Sequence, residues 1–324
     1  MKILLIACPN GFGHTSRLEK LGSLLDKMNH SVSFLIGEAQ KNFLHTIVKE
    51  WQNTPWIVTG RALSLLNEGG DPRKSIAEYL STIKNYNDFD LVICDNFPEI
   101  IEFRSDAILM SNFLWCEVLN NHSYSCDSKA LLSKFPVSRV ISNRFFATPA
   151  LQEHGFYPIN FLGRFNPSLT SIPGDKLKIL VSCGNSDEAH RYYTQLADSI
   201  INNPLFLKYD IYVEAFFLEH TSAKNVKRAM FNDLMFNEIS MAIIRPGMGT
   251  LAECITRAIP IIAYEFGDNF EMRHNAEVVN NRYGCSLFDL NTLPNKLDHV
   301  KNFIYEPEGI MSEKDVNDLL NRIT

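Results

Sequence analysis

Short apolar runs alternate along this chain with stretches in which apolar residues recur at helical spacing. The runs are rich in Ile, Val and Leu without polar alternation, which is typical of strands covered on both faces. Strands are predicted at Lys2–Ala7, Ser31–Ile36, Leu91–Cys94, Ala107–Met110, Arg139–Ser142, Lys178–Ser182, Tyr209–Ala215, Met241–Ile244, Pro260–Ala263 and Cys285–Phe288. Helices are predicted at Ser16–Met28, Asp187–Asn202, Gly249–Arg257 and Ser312–Ile323.

This alternation predicts parallel, doubly wound α/β sheets. A length of 324 residues, with strands in both halves, indicates two Rossmann-like domains of about 150 residues each. The boundary is expected within Gly163–Lys176, where turn residues occur without periodic apolarity. We therefore predict an N-terminal domain at residues 1–165, a second domain at 166–308, and a C-terminal helix at 309–324 that could pack back on the first domain.

Composition narrows the class of protein. Hydrophobic residues make up 45% and charged residues 21%, as in ordinary globular proteins. A net charge of −6 argues against nucleic-acid binding through a broad basic face. Seven scattered cysteines without a CxxC pair predict neither a zinc site nor a disulfide framework, and they fit a reducing cytoplasm.

The sequence contains no run of 18 apolar residues, so we expect no membrane-spanning helix. Met1–Ala7 is too short for the core of a signal peptide. The expected location is the cytoplasm, with any membrane contact being peripheral.

The first informative motif is the glycine-rich turn Gly11–Arg17, directly after the first predicted strand. Its His14 is placed to accept a proton from a substrate hydroxyl at neutral pH. Asp95 closes another predicted strand, and a carboxylate beside a histidine fixes the ring tautomer and stabilises the imidazolium. The alternatives are that His14 only caps the helix and that Asp95 only caps a loop.

A second glycine-rich turn, Arg245–Thr250, follows the predicted strand Met241–Ile244. Glycines before a helix start let the backbone approach a ligand and present N–H groups to an anion. Glu253, three residues after Thr250, could accept the hydroxyls of a ribose. The alternative is a capping box from Thr250 to Glu253 without any ligand. One such turn in each half predicts two lobes facing one cleft and chemistry on a phosphorylated molecule.

Two weaker segments also follow predicted strands. Ser182–Ser186 is a candidate anion-binding loop, although any strand–helix connection can have that composition. Glu265–Glu271 is dense in acceptors suited to sugar hydroxyls, with a solvated acidic loop as the alternative. Asp88-Phe89-Asp90 resembles a metal-binding carboxylate pair but precedes its strand, so we interpret it as a solvated turn and predict no metal site.

Together with Asp95–Pro98, Asn112–Trp115 and Asn275-Ala276, the two turns resemble GT-B fold glycosyltransferases that use nucleotide sugars. More narrowly, the chain is similar to a bacterial group that begins with Gly-x-Gly-His-x-x-Arg and is related to MurG-like enzymes and UDP-glycosyltransferases. The resemblance implies a C-terminal lobe for a nucleotide-sugar donor, with UDP favoured, and an N-terminal lobe for an acceptor hydroxyl. It also implies inversion at the anomeric carbon without a metal or a cofactor.

The resemblance implies that His14 is the base and Asp95 its partner. Gly247, Gly249 and Thr250 would hold the diphosphate, with Glu253 at the ribose. The predicted donor site comprises Gly13, Ser182, Gly184, Asn185, Arg245, Gly247, Met248, Gly249, Thr250, Glu253, Asp268, Asn269, Glu271 and Asn275.

Two positions depart from the pattern of the family. Met272 stands where many relatives have a glutamine that contacts the sugar, and Pro246 removes one N–H donor before the helix. The identity of the sugar and of the acceptor is therefore left open.

Three other functions remain compatible with these residues. A nucleotide-sugar hydrolase would use His14 on water, and a non-catalytic nucleotide-sugar sensor would bind without turnover. A dinucleotide-dependent oxidoreductase is the weakest, because the first turn lacks a third glycine and Glu38 is a faint candidate for the ribose acid.

Overall fold

A computed structural model describes residues 1–47, 56–59, 71–119, 128–163, 177–184, 187–218, 221, 223–267 and 269–323. The chain forms two compact units. One consists of Met1–Leu162 together with Met311–Thr324, and the other of Gly163–Ile310. The segment predicted to link the domains falls largely on residues 164–176, outside the described residues.

The first unit is built on a parallel sheet that has seven strands among the described residues, in the order β3-β2-β1-β4-β5-β6-β7. Its strands are β1 Lys2–Ile6, β2 Ser31–Gly37, β3 Trp56–Thr59, β4 Leu91–Asp95, β5 Ile108–Met110, β6 Val140–Asn143 and β7 Tyr157–Ile159. Its helices are α1 Phe12–Lys27, α2 Glu38–Ile47, α3 Pro72–Leu80, α4 Trp115–Val118 and α5 Pro149–His154.

The second unit has a parallel sheet with six strands in its described part, in the order β10-β9-β8-β11-β12-β13. Its strands are β8 Lys178–Ser182, β9 Asp210–Val213, β10 Val226–Arg228, β11 Met241–Ile244, β12 Ile261–Tyr264 and β13 Gly284–Leu287. Its helices are α6 Asp187–Ile201, α7 Ala215–Leu218, α8 Asp233–Glu238, α9 Met248–Ile255, α10 Phe270–Arg282 and α11 Leu293–Val300. The last helix of the chain, α12 Glu313–Ile323, belongs to the first unit.

The predicted doubly wound α/β architecture is confirmed. All ten predicted strands are present, with bounds that differ by at most two residues at either end. The strands that the pattern missed are β3, β7 and β10, each of which lies at the edge of its sheet. A short edge strand needs no continuous apolar run, and β7 contains Pro158 while β10 carries Lys227 and Arg228.

Burial on both faces explains the continuous apolar runs. In β1, Leu4 and Ile6 belong to one buried cluster, while Ile3 and Leu5 belong to another on the opposite face. The C-terminal helix α12 places Val316, Leu319 and Leu320 in the second cluster. This helix therefore helps to cover the sheet of the first unit.

Strand register brings the loops of interest together. Ile6 pairs with Cys94, so the turn after β1 and Asp95 at the end of β4 both lie at the carboxyl ends of the strands. In the second unit Ser182 pairs with Ile244, which makes the segments after β8 and β11 neighbours. Carboxyl ends of parallel strands are where such sheets bind ligands.

Two glycines of α1 differ in their surroundings and allow a test of this packing. A methyl group at Gly22 would lie 2.5 Å from Cζ of the buried Phe34 ring, whereas one at Gly13 would have nothing within 4 Å. We expect Gly22→Ala to lower the free energy of unfolding by about 1–3 kcal/mol through overpacking. Gly13→Ala should leave it unchanged or raise it by up to about 1 kcal/mol. Urea unfolding followed by circular dichroism measures both; equal effects would contradict the packing.

Candidate functional site

The first candidate site lies where β1 runs into α1. Gly11 precedes the helix with a φ of 83°, a conformation that favours glycine, and no side chain caps the helix start. His14 is therefore in the first turn of α1, with 13% of its side chain exposed. The alternative of a capping histidine is wrong.

His14 is part of an ionic cluster with Asp95 and Arg17. Nδ1 of His14 lies 3.2 Å from Oδ2 of Asp95. Nε of Arg17 donates to the same oxygen at 2.8 Å, and its Nη2 donates to Oδ1. Nη2 also lies 3.1 Å from His14 Nδ1. The structure thus brings together the predicted pair and adds a cation in contact with both members.

The Asp95 carboxylate is fully buried and ionised. Burial opposes ionisation, but the Arg17 guanidinium and His14 outweigh it and hold the pKa of Asp95 below its ordinary value. The next residue, Asn96, has a φ of 65° and accepts hydrogen bonds from Arg17 at 3.2 Å and from Ser111 at 2.6 Å. The cluster is therefore fixed by groups from β4, α1 and the end of β5.

Aromatic side chains form the wall beside the histidine. The ring centroids of Phe113 and Trp115 each lie 6.2 Å from that of His14, and the two rings pack edge to face at 5.1 Å. Asn112 has a structural role here, since its Oδ1 accepts hydrogen bonds from Ser142 Oγ and Asn143 N, both at 3.0 Å. The segment Asn112–Trp115 therefore contributes to the surroundings of His14.

The second candidate site is the start of α9 in the other unit. Gly247 is its N-cap with φ −75° and ψ 138°, and no side chain caps the helix. Because the helix begins at Met248, Thr250 is its third residue, and the capping-box alternative is wrong. Asn275, which is 1% exposed, donates from Nδ2 to the carbonyl of Pro246 at 2.8 Å and so braces the turn from α10.

Glu253 is buried in an ion pair. Its Oε2 accepts from Arg257 Nη1 at 2.8 Å, and the Glu253 residue is 5% exposed. Arg257 also donates to Asp233 at 3.0 Å. This pair was not predicted, and it gives Glu253 a role within the unit.

The loop after β8 does not present the free donors that its composition predicted. Ser182 Oγ donates to Oε1 of Glu214 at 2.7 Å, and the amide of Gly184 donates to the same oxygen at 3.0 Å. The amide of Cys183 donates to Oε2 at 3.2 Å. An internal carboxylate thus occupies the predicted anion position of Ser182 and Gly184. Asn185 lies outside the described residues.

The acidic segment after β12 is also partly structural. Asn269 caps α10, accepting from the Met272 amide at 2.9 Å, and Glu271 lies in the first turn of that helix. Glu265 is 4% exposed and accepts from the Gly267 amide. Met272 is buried, so its side chain belongs to the interior of the unit. Asp268 lies outside the described residues.

The described part of the chain has neither a metal-binding cluster nor a membrane-spanning helix. Its residues contain no group of three or more His, Cys, Asp or Glu side chains arranged to hold a metal ion. No helix within it is long and apolar enough to cross a membrane.

No protein-family model and no curated protein matches the sequence. Solved structures do match over the whole chain. The spinosyn forosaminyltransferase SpnP has a TM-score of 0.66 at 13% identity, covering 100% of this chain and 94% of that chain. Arabidopsis thaliana UGT89C1 in complex with UDP-L-rhamnose has a TM-score of 0.63 at 14% identity, covering 99% and 98%. The calicheamicin glycosyltransferase CalG4 has a TM-score of 0.60 at 14% identity, covering 99% and 94%.

The chain has the GT-B fold. The match to these structures confirms the fold implied by the two glycine-rich turns. At 13–14% identity, this match concerns the fold alone.

Sequence reasoning missed two side chains that shape these sites. One is Arg17, the last residue of the turn Gly11–Arg17. Its spacing was the available signal, because residues three apart on a helix share a face, which puts it beside His14. Glu214 directly follows β9, so its place at a strand end was the available signal. Its contact with the loop after β8 depends on the neighbouring strand order, which the pattern alone does not give.

The ionic cluster predicts a pH-dependent contribution of Asp95 to stability. Because its folded-state pKa is lowered, the stabilisation is present above the ordinary value of 3.8 and is lost as the pH falls through the lower folded value. Asp95→Asn leaves Arg17 without its buried carboxylate and should cost about 3–5 kcal/mol at pH 7. Urea unfolding between pH 7 and pH 3 should show this difference shrinking toward the acid end.

The control is Asp106→Asn, which removes a carboxylate that is 47% exposed and paired with Arg104. An exposed pair of this kind contributes about 0–1 kcal/mol. A difference between Asp95→Asn and the wild type that stays constant over the whole pH range would contradict the assignment.

Proposed function

We propose that this protein is a metal-independent, inverting glycosyltransferase that moves a sugar from a UDP-sugar to an acceptor hydroxyl, with His14 as the general base. The proposal is carried by one observation: the His14 imidazole is held at the carboxyl edge of a parallel sheet by a buried aspartate on its Nδ1 side. Among the described residues, no hydrogen bond is made to its Nε2. That nitrogen is therefore suited to take a proton.

The reaction is a single displacement. His14 Nε2 takes the proton of the acceptor hydroxyl as its oxygen bonds to the anomeric carbon. The bond from that carbon to the diphosphate oxygen breaks, and UDP leaves with the electron pair. Asp95 stabilises the imidazolium formed during the transfer. Attack opposite to the leaving group inverts the anomeric carbon.

Packing does not require glycine at Gly247 or at Gly13, and each position suits a ligand that approaches the backbone of its own unit. Gly247 has a backbone conformation open to other residues, and a methyl group there, or at Gly13, would meet nothing within 4 Å. A glycine in these positions lets a ligand approach the backbone. The uncapped N–H groups at the start of α9 would face the diphosphate and stabilise its growing charge.

Helix starts elsewhere in the chain show the contrast. Side chains cap α3, α8 and α10, through Asp71, Asn232 and Asn269. Both α5 and α11 lack a side-chain cap but carry proline at the first or second position. By comparison, α1 and α9 have a glycine as the N-cap residue, Gly11 and Gly247, and neither helix has a side-chain cap or a proline at its start. This difference favours ligand binding at the glycine-led starts.

UDP is proposed as the nucleotide of the donor because of solved structures with the same fold, and not because of a particular residue in this chain. UGT89C1 structures of the same fold were solved with UDP-L-rhamnose, with UDP and with quercetin. Glu253 remains the residue proposed for the ribose, although its burial and its pairing with Arg257 mean that the ribose would have to reach a shielded carboxylate. Asn275 positions the turn of the phosphate site.

A cytoplasmic location is part of the proposal. The six cysteines among the described residues are free thiols and all are buried, as expected in a reducing compartment.

Hydrolysis of the donor is the competing reaction for the same base. Incubation with UDP-sugars alone separates the two, because rapid release of UDP without an acceptor would count against transfer.

His14→Gln removes the proposed base while keeping a similar volume. Turnover should fall by about 10²–10⁴-fold, the range for losing a general base, and donor affinity should change little. Steady-state transfer and calorimetric UDP binding measure the two effects. His30→Gln is the control, since His30 directly precedes β2 and thus lies at the amino ends of the strands. Full activity of His14→Gln would exclude its role as base.

Gly247→Ala tests the phosphate site. The unliganded protein should keep its melting temperature, because the added methyl group meets no atom within 4 Å and φ is −75°. The same methyl group would stand between the backbone and the diphosphate, so UDP affinity should fall by about tenfold or more, equivalent to about 1.4 kcal/mol. Calorimetry with UDP and thermal unfolding without it report the two parts. Unchanged affinity would remove Gly247 from the site.

A further inference from the structure

One buried glutamine holds the loop that leads into the first candidate site. Gln40 is the third residue of α2 and is 2% exposed. Its Nε2 donates to the carbonyl of Cys8 and to the carbonyl of Gly11, both at 2.8 Å. Its Oε1 accepts from the amide of Gly37 at 2.9 Å. Both hydrogens and the oxygen of this side-chain amide are therefore engaged with backbone groups.

The oxygen of Gln40 ties the side chain to the start of its own helix. Gly37 directly precedes α2, and a glutamine at the third helical position that accepts from the amide before the helix is one half of a capping box. A methyl group at Gly37 would lie 3.3 Å from Cβ of Pro9, so the loop after β1 runs close to this helix start. The side-chain nitrogen of Gln40 is thereby directed at that loop.

The carbonyl of Gly11 is the one on which α1 begins. Gly11 is the N-cap of α1 with a φ of 83°, and the carbonyl of an N-cap accepts the first hydrogen bond within its helix. A glycine leaves the backbone a wider choice of conformations than other residues do. The hydrogen bonds from Gln40 to Cys8 and Gly11 restrict that choice on both sides of the turn. They therefore help to set the direction in which α1 starts.

The place of His14 depends on that direction. Its Nδ1 lies 3.2 Å from Oδ2 of Asp95, which ends β4. The position of β4 is fixed by the sheet, since Cys94 pairs with Ile6 of β1. His14 follows Gly11 by three residues, so a change at the turn would move the imidazole relative to a carboxylate that stays in place.

We propose that Gln40 is a positioning residue of this site: by holding the carbonyls of Cys8 and Gly11 from α2, it sets the start of α1 and thus the place of the His14 ring beside Asp95. Its catalytic meaning rests on the proposed function. The place of the ring can be measured without any activity.

The first test is NMR of the full-length protein at one fixed pH, with the His14 signals assigned by their loss in His14→Gln. Gln40→Met keeps the length of the side chain and removes its hydrogen bonds. The ring-proton signals of His14 should move, because the rings of Phe113 and Trp115 lie beside it and affect its resonances according to distance and angle. Unchanged His14 signals in a folded Gln40→Met would overturn the proposal.

Tyr79→Phe is the matched control. Tyr79 is 4% exposed, and its hydroxyl donates to the carbonyl of Ala7 at 2.8 Å, in the segment that leads to the same loop. The sheet also holds Ala7, whose amide donates to the Leu35 carbonyl at 3.0 Å. Tyr79→Phe should therefore lower the melting temperature and leave the His14 ring signals in place. Equal displacement of these signals in Tyr79→Phe and Gln40→Met would show a general loss of stability and overturn the proposal.

The contacts of Gln40 can also be tested in the wild type, so that no variant has to fold. Both hydrogens of its side-chain amide should exchange slowly with D₂O, because they are buried and hydrogen-bonded. The side-chain amide of Gln195, an exposed residue of α6, supplies the rate for comparison. Exchange of the Gln40 amide as fast as that of Gln195 would contradict the proposed contacts.

Activity distinguishes the role of Gln40 from the proposed function. If sugar transfer is found, kcat of Gln40→Met should fall by about 10²-fold, the effect of misplacing a catalytic group by about 1 Å. The KM for the donor should stay unchanged, because the proposed phosphate site at α9 belongs to the other unit. Transfer with an unchanged kcat in Gln40→Met would reject the role of Gln40 and keep the transferase. Displaced His14 signals in Gln40→Met, with no sugar transfer by the wild type, would uphold that role and reject the transferase.

Discussion

The first unit is organised around a carboxylate that has no access to water. An ionised Asp95 in this position would be strongly unfavourable unless other groups satisfied its oxygens. Arg17 and His14 do so from the first turns of α1, and this requires α1 to begin directly after the turn at Gly11. The register of β1 against β4 is therefore needed for this charge pairing as well as for packing, because it brings Asp95 to the start of α1.

Carboxylates also hold neighbouring groups in place in the second unit. Glu214 binds the loop after β8 through three donors, and Glu253 pairs with Arg257 within α9. Glu214 thus holds the loop after β8, and Glu253 lies in the helix after β11; the sequence predicted ligand contacts in both of these segments. Among the described residues of this unit, the start of α9 has no side-chain cap, whereas the loop at Ser182 is already held by Glu214.

The sequence predicted the features that depend on a local pattern of residues, such as the central strands of each sheet. Strands covered on both faces need continuous apolar runs, so β1, β4, β8 and β11 were visible, whereas the edge strands β7 and β10 were not. The pairing of His14 with Asp95 followed from two strand ends at one sheet edge. The contact of Glu214 with Ser182 depends on β9 lying beside β8, and sheet order is set by packing over the whole unit.

Glycines show most clearly what three-dimensional packing adds to the sequence pattern. Gly22 and Gly13 lie on the same helix and look alike in the sequence, but a side chain at Gly22 would collide with Phe34 while one at Gly13 would enter open space. Gly284 likewise has no room, since a methyl group there would overlap the Ile261 carbonyl. Packing thus accounts for Gly22 and Gly284. Packing accounts for neither Gly13 nor Gly247, although glycine weakens a helix. The proposed function supplies a reason for them, because a ligand can approach the backbone most closely at a glycine.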